Sequence, residues 1–202
     1  MTVKTRGIVL GQVPLREPDR KLILLTADLD RNFYNLRLDL TRLSLASYFC
    51  ELTRFILPDK DNAPGILKLL LNTLWLLEQD KCSPAFLKAV YELRLLTLSG
   101  FAPDLSGCSS CGAEDAGTFF PIDGVLLCDD CLGRMPPDRL RMPLPRPVRQ
   151  AMLYICQAPE EKLFSFRLTP DSEAALGSVS EAYVLCQTGG RFKTLDFLKS
   201  IS

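Results

Sequence analysis

Histidine is absent from these 202 residues. That removes the side chain most used for proton transfer near neutral pH, and it leaves no imidazole to hold a catalytic zinc. Net charge is missing as well, because 24 basic residues face 24 acidic ones. Global charge therefore announces no nucleic-acid partner, and one would need a local basic patch. Long apolar runs are lacking too. The longest, Ile66 to Leu77, is broken by Lys68 and Asn72 and is too short to span a bilayer. The first residues show no charged stretch leading into an apolar one, as a secretory signal would. A soluble, cytoplasmic protein with no membrane partner is the expectation. No glycine loop of phosphate-binding type, no carboxylate pair in a catalytic motif and no nucleophile elbow occur, so an enzyme is not expected.

Cysteine is what the chain does have, at eight residues. Cys108, Cys111, Cys128 and Cys131 form Cys-x2-Cys-x16-Cys-x2-Cys, the spacing of a four-thiolate metal site. Each pair brings two sulfurs to one ion at about 2.3 Å, and two pairs complete a tetrahedron. The segment between them reads as a two-stranded ribbon turning at Asp123-Gly124. Two disulfides would use the same four residues. Against that, Cys50, Cys82, Cys156 and Cys186 sit singly in apolar surroundings, as thiols do in a reducing compartment. A redox pair is disfavoured because neither Cys-x-x-Cys is expected to open a helix after a strand in a thioredoxin-like βαβ unit. Iron suits four sulfurs as well as zinc does. With the tetrahedron filled, no position stays open for water, so one structural ion, written as zinc, is expected.

Around this knot the periodicity divides the chain. Thr2 to Ala27 reads as two strands joined at LREPDR. From Asp39 the period turns helical, with Leu45, Tyr48, Phe49, Leu52, Phe55 and Ile56 on one face and Pro58 as the stop. A second helix starts at Pro64 and carries Leu67, Leu70, Leu71, Leu74 and Leu77; a third runs from Ser83-Pro84 to Gly100. The three should pack as a small bundle with Trp75 in its core. Five prolines between Met135 and Pro147 argue against regular structure there. One helix should follow over Val148 to Cys156, and another from Thr169-Pro170-Asp171 to Gly189-Gly190. The closing RFKTLDFLKS alternates basic and apolar positions at helical spacing.

Five stretches stand in order along the chain: TRGIVL at Thr5 to Leu10, EPDR and LLT within Glu17 to Thr26, YELRLLTLSGFAPDLSGCSSCG from Tyr91 to Gly112, GVLLCDDC at Gly124 to Cys131 and RFKTLDFL at Arg191 to Leu198. Taken in that order, they resemble the RecO family of bacterial recombination mediators. The resemblance implies a mainly helical α+β protein in four parts: an N-terminal OB-type β-barrel over 1–33, a helical domain over 34–105 and 134–202, and a four-cysteine zinc ribbon or knuckle over 106–133. It also implies binding to single- and double-stranded DNA, annealing of complementary strands, and partnership with RecR in loading RecA onto DNA covered by single-strand-binding protein. An acidic, apolar C-terminal tail of that last protein is a further expected ligand of the helical domain. The expected location is the bacterial cytoplasm, at the nucleoid.

The text departs from the family between Leu29 and Phe33, where later barrel strands are missing. Two strands cannot close a five-stranded barrel. Either the protein is naturally shortened here or residues are absent near Asp30-Arg31, and the second is the expectation; loss of a basic stretch with them accounts for the neutral balance. No aromatic residue precedes Phe33, so base stacking has to come from the missing part or from elsewhere. The cationic candidates for DNA are Lys4, Arg6, Arg16, Arg20, Lys21, Arg37, Arg42, Arg191 and Lys193, with Arg31 and Lys199 beside them. A zinc-ribbon adaptor that joins proteins and never touches DNA is the competing reading. It predicts apolar surface clusters in place of basic ones.

Overall fold

The computed structural model describes residues 7–14, 20–26, 33–57 and 63–201. In chain order the elements are β1 (Gly7–Pro14), β2 (Arg20–Thr26), α1 (Leu40–Ile56), α2 (Ala63–Glu78), α3 (Pro84–Leu98), β3 (Thr118–Phe120), β4 (Val125–Leu127), α4 (Asp129–Leu132), β5 (Met142–Pro143), α5 (Arg146–Gln157), α6 (Pro170–Thr188) and α7 (Lys193–Ile201). They fall into two compact units. One holds residues 1–84 and 192–202, the other residues 85–191.

In the first unit β1 and β2 form an antiparallel ladder from Gly7↔Thr26 to Pro14↔Arg20, with a register shift between Val9 and Gly11. Among the described residues this pair is the whole of the N-terminal sheet, and no barrel closes. The expected gap at Asp30-Arg31 lies outside the described residues.

Helix α1 starts where the Asp39 carboxylate accepts from the Arg42 backbone N–H at 2.9 Å, a side-chain cap for an otherwise orphaned donor. Its buried face carries Leu45, Tyr48, Phe49, Leu52 and Ile56. Burying each such side chain contributes roughly 1.5–3 kcal/mol. Phe55, expected on that face, is instead 52% exposed. Thr53 takes the buried place, since its hydroxyl can donate to the Phe49 carbonyl at 2.7 Å and needs no water. Phe192 is buried edge-on to Tyr48 (5.9 Å) and Phe55 (5.4 Å), which seats α7 on α1. The Glu51 carboxylate then accepts from the Thr194 N–H at 3.0 Å and so caps α7 from another helix. On α2 the core positions are Ile66, Leu69, Leu70, Leu74 and Leu77; Leu67, Leu71 and Trp75 are half-buried. The Lys81 ammonium lies 4.4 Å over the indole of Trp75.

The expected three-helix bundle does not describe the grouping. α1 and α2 share their unit with α7, whereas α3 belongs from Ala85 onward to the second unit with α5 and α6. In that unit α3 is buried nearly all round, from Phe86 to Leu96. Its Glu92 has no exposed surface. One carboxylate oxygen accepts from the Lys88 ammonium at 2.8 Å, the other from the Ser180 hydroxyl of α6 at 2.7 Å. Lys88 also reaches Glu181 at 2.9 Å. Buried charge is tolerated because each oxygen is met.

Helix α6 follows its signals closely. Thr169 accepts from the Ser172 N–H, and Gly189 ends the helix at φ 59°, a left-handed position that glycine enters without strain. The proline-rich linker, by contrast, is not devoid of structure. Met142–Pro143 joins β3 as an edge strand, giving the sheet order β4-β3-β5. Proline is tolerated there because an edge strand has one side without ladder partners. α5 also begins two residues before the expected Val148, with Pro147 in its first turn, where a missing N–H costs nothing. No helix among the described residues is long and apolar enough to cross a membrane.

Candidate metal centre

The four cysteines of the spaced pairs converge. Their Sγ atoms all lie within 4.8 Å of one another, and Cys111 Sγ stands 3.7 Å from Cys128 Sγ. A tetrahedron built on bonds of ~2.3 Å has edges of ~3.8 Å, so the cage fits one thiolate-bound cation. The separation is far beyond the ~2.05 Å of a disulfide, and all eight cysteines are free thiols. Cys108, Cys128 and Cys131 are buried while Cys111 is exposed, which leaves the Cys111 side as the way in for an ion.

Local backbone geometry makes the cage. In the first knuckle the Cys108 N–H donates to the Ala113 carbonyl and the Gly112 N–H to the Cys108 carbonyl, both at 2.8 Å. Gly112 sits at φ 77°, which glycine adopts freely. At Gly107 a Cβ would meet the Ala113 carbonyl oxygen at 3.0 Å, so a larger residue there would need the turn backbone to give way slightly. The Ser109 N–H donates to the Leu126 carbonyl at 2.9 Å, tying this knuckle to β4. β3 and β4 pair as expected, Phe120 against Val125, and the Gly124 N–H closes the turn on the Phe120 carbonyl at 2.8 Å.

The second pair departs from expectation. Cys128 directly follows β4 and caps the one-turn helix α4, so this Cys-x-x-Cys does open a helix after a strand. No thioredoxin-like unit results, since the sheet is antiparallel and the helix four residues long.

The thiols are poised unequally. The backbone N–H of Cys128 favours the Cys108 thiolate and, against the opposing effect of burial, brings it down to about 6. The Ala113 N–H pulls Cys111 the same way. Hydrogen bonding with the thiols of Cys108, Cys131 and Cys128 outweighs it and pushes Cys111 up to about 12. Among the solitary cysteines, burial drives the half-buried Cys50 up to about 11, which leaves little reactive thiolate at neutral pH.

Three residues that the sequence did not single out dock this module on the helices of its unit. Arg149 of α5 donates to the carbonyls of Leu105, Ser106 and Glu114 at 3.0, 2.8 and 2.6 Å. Gln187 of α6 donates to Pro121 and Ile122, both at 2.9 Å, and the Tyr183 hydroxyl to the Phe101 carbonyl at 3.0 Å. All three bond to backbone far away in the chain, and no spacing rule reports such partners.

The cationic candidates belong to different elements. Lys4, Arg6, Arg16 and Arg31 lie outside the described residues; Arg20 and Lys21 pair with Pro14 and Val13 in the ladder. Arg37 is exposed on a short 3-10 turn before α1. Arg42 is engaged with Asp80 at 2.7 Å and Asp39 at 3.7 Å. Arg191, Lys193 and Lys199 are exposed. The same stretch that carries Arg37 and Arg42 exposes Tyr34 (63%), Leu38 (72%) and Leu40 (57%).

A mainly helical α+β body carrying a four-thiol knuckle on a small antiparallel sheet is the class of protein that these features define. The family model described as Recombination protein O C terminal matches residues 37–196, which include all four cysteines, and the chain belongs to the RecO family. Its motif resemblance is thereby borne out. Relatives named DNA repair protein RecO include one from Acetivibrio thermocellus, 30% identical over 178 residues that cover 87% of this chain and 70% of the relative. Another, from Symbiobacterium thermophilum, is 31% identical over 175 residues, covering 84% and 68%. A third, from Desulforudis audaxviator, is 30% identical over 245 aligned positions that cover 98% of this chain and 96% of the relative. That alignment is 43 positions longer than the 202 residues here, so the Desulforudis protein carries sequence with no counterpart in this chain.

Proposed function

We propose that this protein acts in bacterial DNA repair as a recombination mediator. It binds single- and double-stranded DNA, anneals complementary strands and, with RecR, helps load RecA onto DNA covered by single-strand-binding protein, whose acidic tail docks on the helical part. It works without bond-making chemistry in the cytoplasm at the nucleoid, and Cys108, Cys111, Cys128 and Cys131 hold one structural zinc. The observation that carries this reading is the family match over residues 37–196. The cage of four sulfurs, with an edge of 3.7 Å, supports the metal. Lys4, Arg6, Arg16, Arg20, Lys21, Arg37, Arg191 and Lys193 are the phosphate contacts of choice, with Arg42 contributing once its bond to Asp80 opens. Basic residues release counterions on binding a polyanion, so the logarithm of affinity for an oligonucleotide falls linearly with the logarithm of salt. Fluorescence anisotropy of a labelled single strand over a salt series tests it, and a binding signal that is absent or indifferent to salt overturns it.

The exposed Tyr34, Leu38 and Leu40 favour one second reading, a zinc-ribbon adaptor that joins proteins without touching DNA. Under that reading oligonucleotides do not bind while a protein partner still does.

A further inference from the structure

Resting on the reading that the four cysteines hold a metal, we infer that Arg149 is the positioning residue that sets how tightly they hold it. It touches no sulfur. Its guanidinium instead ties together the two ends of the first knuckle. Nε and Nη2 donate to Leu105 and Ser106, just ahead of Cys108, while Nη1 donates to Glu114, three residues after Cys111. A longer contact of 3.5 Å reaches the Ala116 carbonyl. One planar group thus closes the loop whose mouth is the pair Cys108 and Cys111.

Helix α5 holds the guanidinium still, because Val148, Ala151, Met152 and Ile155 anchor it in the core of the unit. At the C-terminal end of that helix the Arg94 guanidinium donates to the Ile155 and Cys156 carbonyls at 3.0 and 2.8 Å. A knuckle held at both ends before metal arrives has already given up the freedom that binding would otherwise remove, and preorganisation of this kind raises affinity without a new metal bond. Partners outside the ligand set commonly change metal affinity by ~10–100-fold. Lysine is no replacement. A single ammonium is a point donor, whereas the spread of these carbonyls needs the rigid fork.

The test is zinc affinity of the full chain, measured by competition with a chromophoric chelator, for the wild type, Arg149→Lys, Arg149→Met and Gln187→Ala. The last variant cuts the tie between α6 and the ribbon turn and leaves the knuckle alone. Expected is a loss of ~10–100-fold for both Arg149 variants and wild-type affinity for Gln187→Ala, with the cobalt(II) absorption of four-thiolate coordination kept throughout. Arg149→Lys keeps charge and length, so it serves if Arg149→Met does not fold. Wild-type affinity in Arg149→Lys overturns the inference. So does an equal loss in Gln187→Ala, which would mean that any loosening of the module suffices. If the wild type itself takes up no zinc, it is the metal reading that fails.

Discussion

Gly124 packs directly against Tyr183: a Cβ on Gly124 would stand 2.8 Å from the Tyr183 hydroxyl oxygen, with the ring carbons next at 3.3 and 3.4 Å. The glycine is at φ 68°, and the tyrosine is itself held, through its hydroxyl to Phe101 and edge-on to Phe119 at 5.5 Å. Turn and helix therefore meet where only a residue without a side chain fits.

Gly124→Ala is expected to destabilise the protein by about 1–3 kcal/mol, from the left-handed backbone and the contact together. Urea denaturation measures it. Tyr183→Phe removes the atom in closest contact, so the double variant should lose less than the two single losses added, and strict additivity would show that the contact carries no energy.

Cys108→Ser should lower bound zinc well below one per chain and remove a folding contribution of several kcal/mol or more. Elemental analysis of reduced protein and thermal melting with and without chelator check this. Zinc content and melting like those of the wild type would deny the cage a structural ion.

Arg191→Ala with Lys193→Ala should weaken oligonucleotide binding and flatten its salt dependence, by ~0.7 in slope for each lost contact on a single strand. Both are exposed. Arg42→Ala should change the slope less, since Arg42 already faces Asp80 at 2.7 Å. Equal slopes in all three proteins would put the phosphate contacts on other residues.

Lys88→Met takes the ammonium from a fully buried carboxylate of Glu92 and should cost about 3–5 kcal/mol near neutral pH. Burial works against the Lys88 charge, but Glu92 and Glu181 outweigh it and raise its pKa above the ordinary value. A raised pKa means stability present at lower pH and lost only as the lysine deprotonates in strong alkali. Urea denaturation of both proteins near pH 7 measures the loss, and a difference below about 1 kcal/mol would contradict the assignment.

Legibility differed by element. Asp39, Thr169 and Gly189 marked their helix ends because caps satisfy backbone groups within a few residues. The metal cage was visible in its spacing for the same local reason. Phe55 was placed wrongly, since periodicity reports a face of α1 but not that Thr53 could be buried at no cost through a bond to its own helix. Met142–Pro143 was missed because proline density is a local argument against structure, while an edge strand is made by a partner, here β3, more than 20 residues earlier in the chain.

From the amino-acid order alone came the ends of the helices, the sulfur set and the family, each written in residues close enough along the chain for bond geometry and capping to act directly. Tertiary structure decided the rest: that α3 joins α6 through Glu92 and Ser180, and that Arg149, Tyr183 and Gln187 dock the ribbon on the helices of its unit. Those bonds join residues 35 to 88 positions apart, several of them serving carbonyls that any residue could offer, and so they exist only once the chain has closed upon itself.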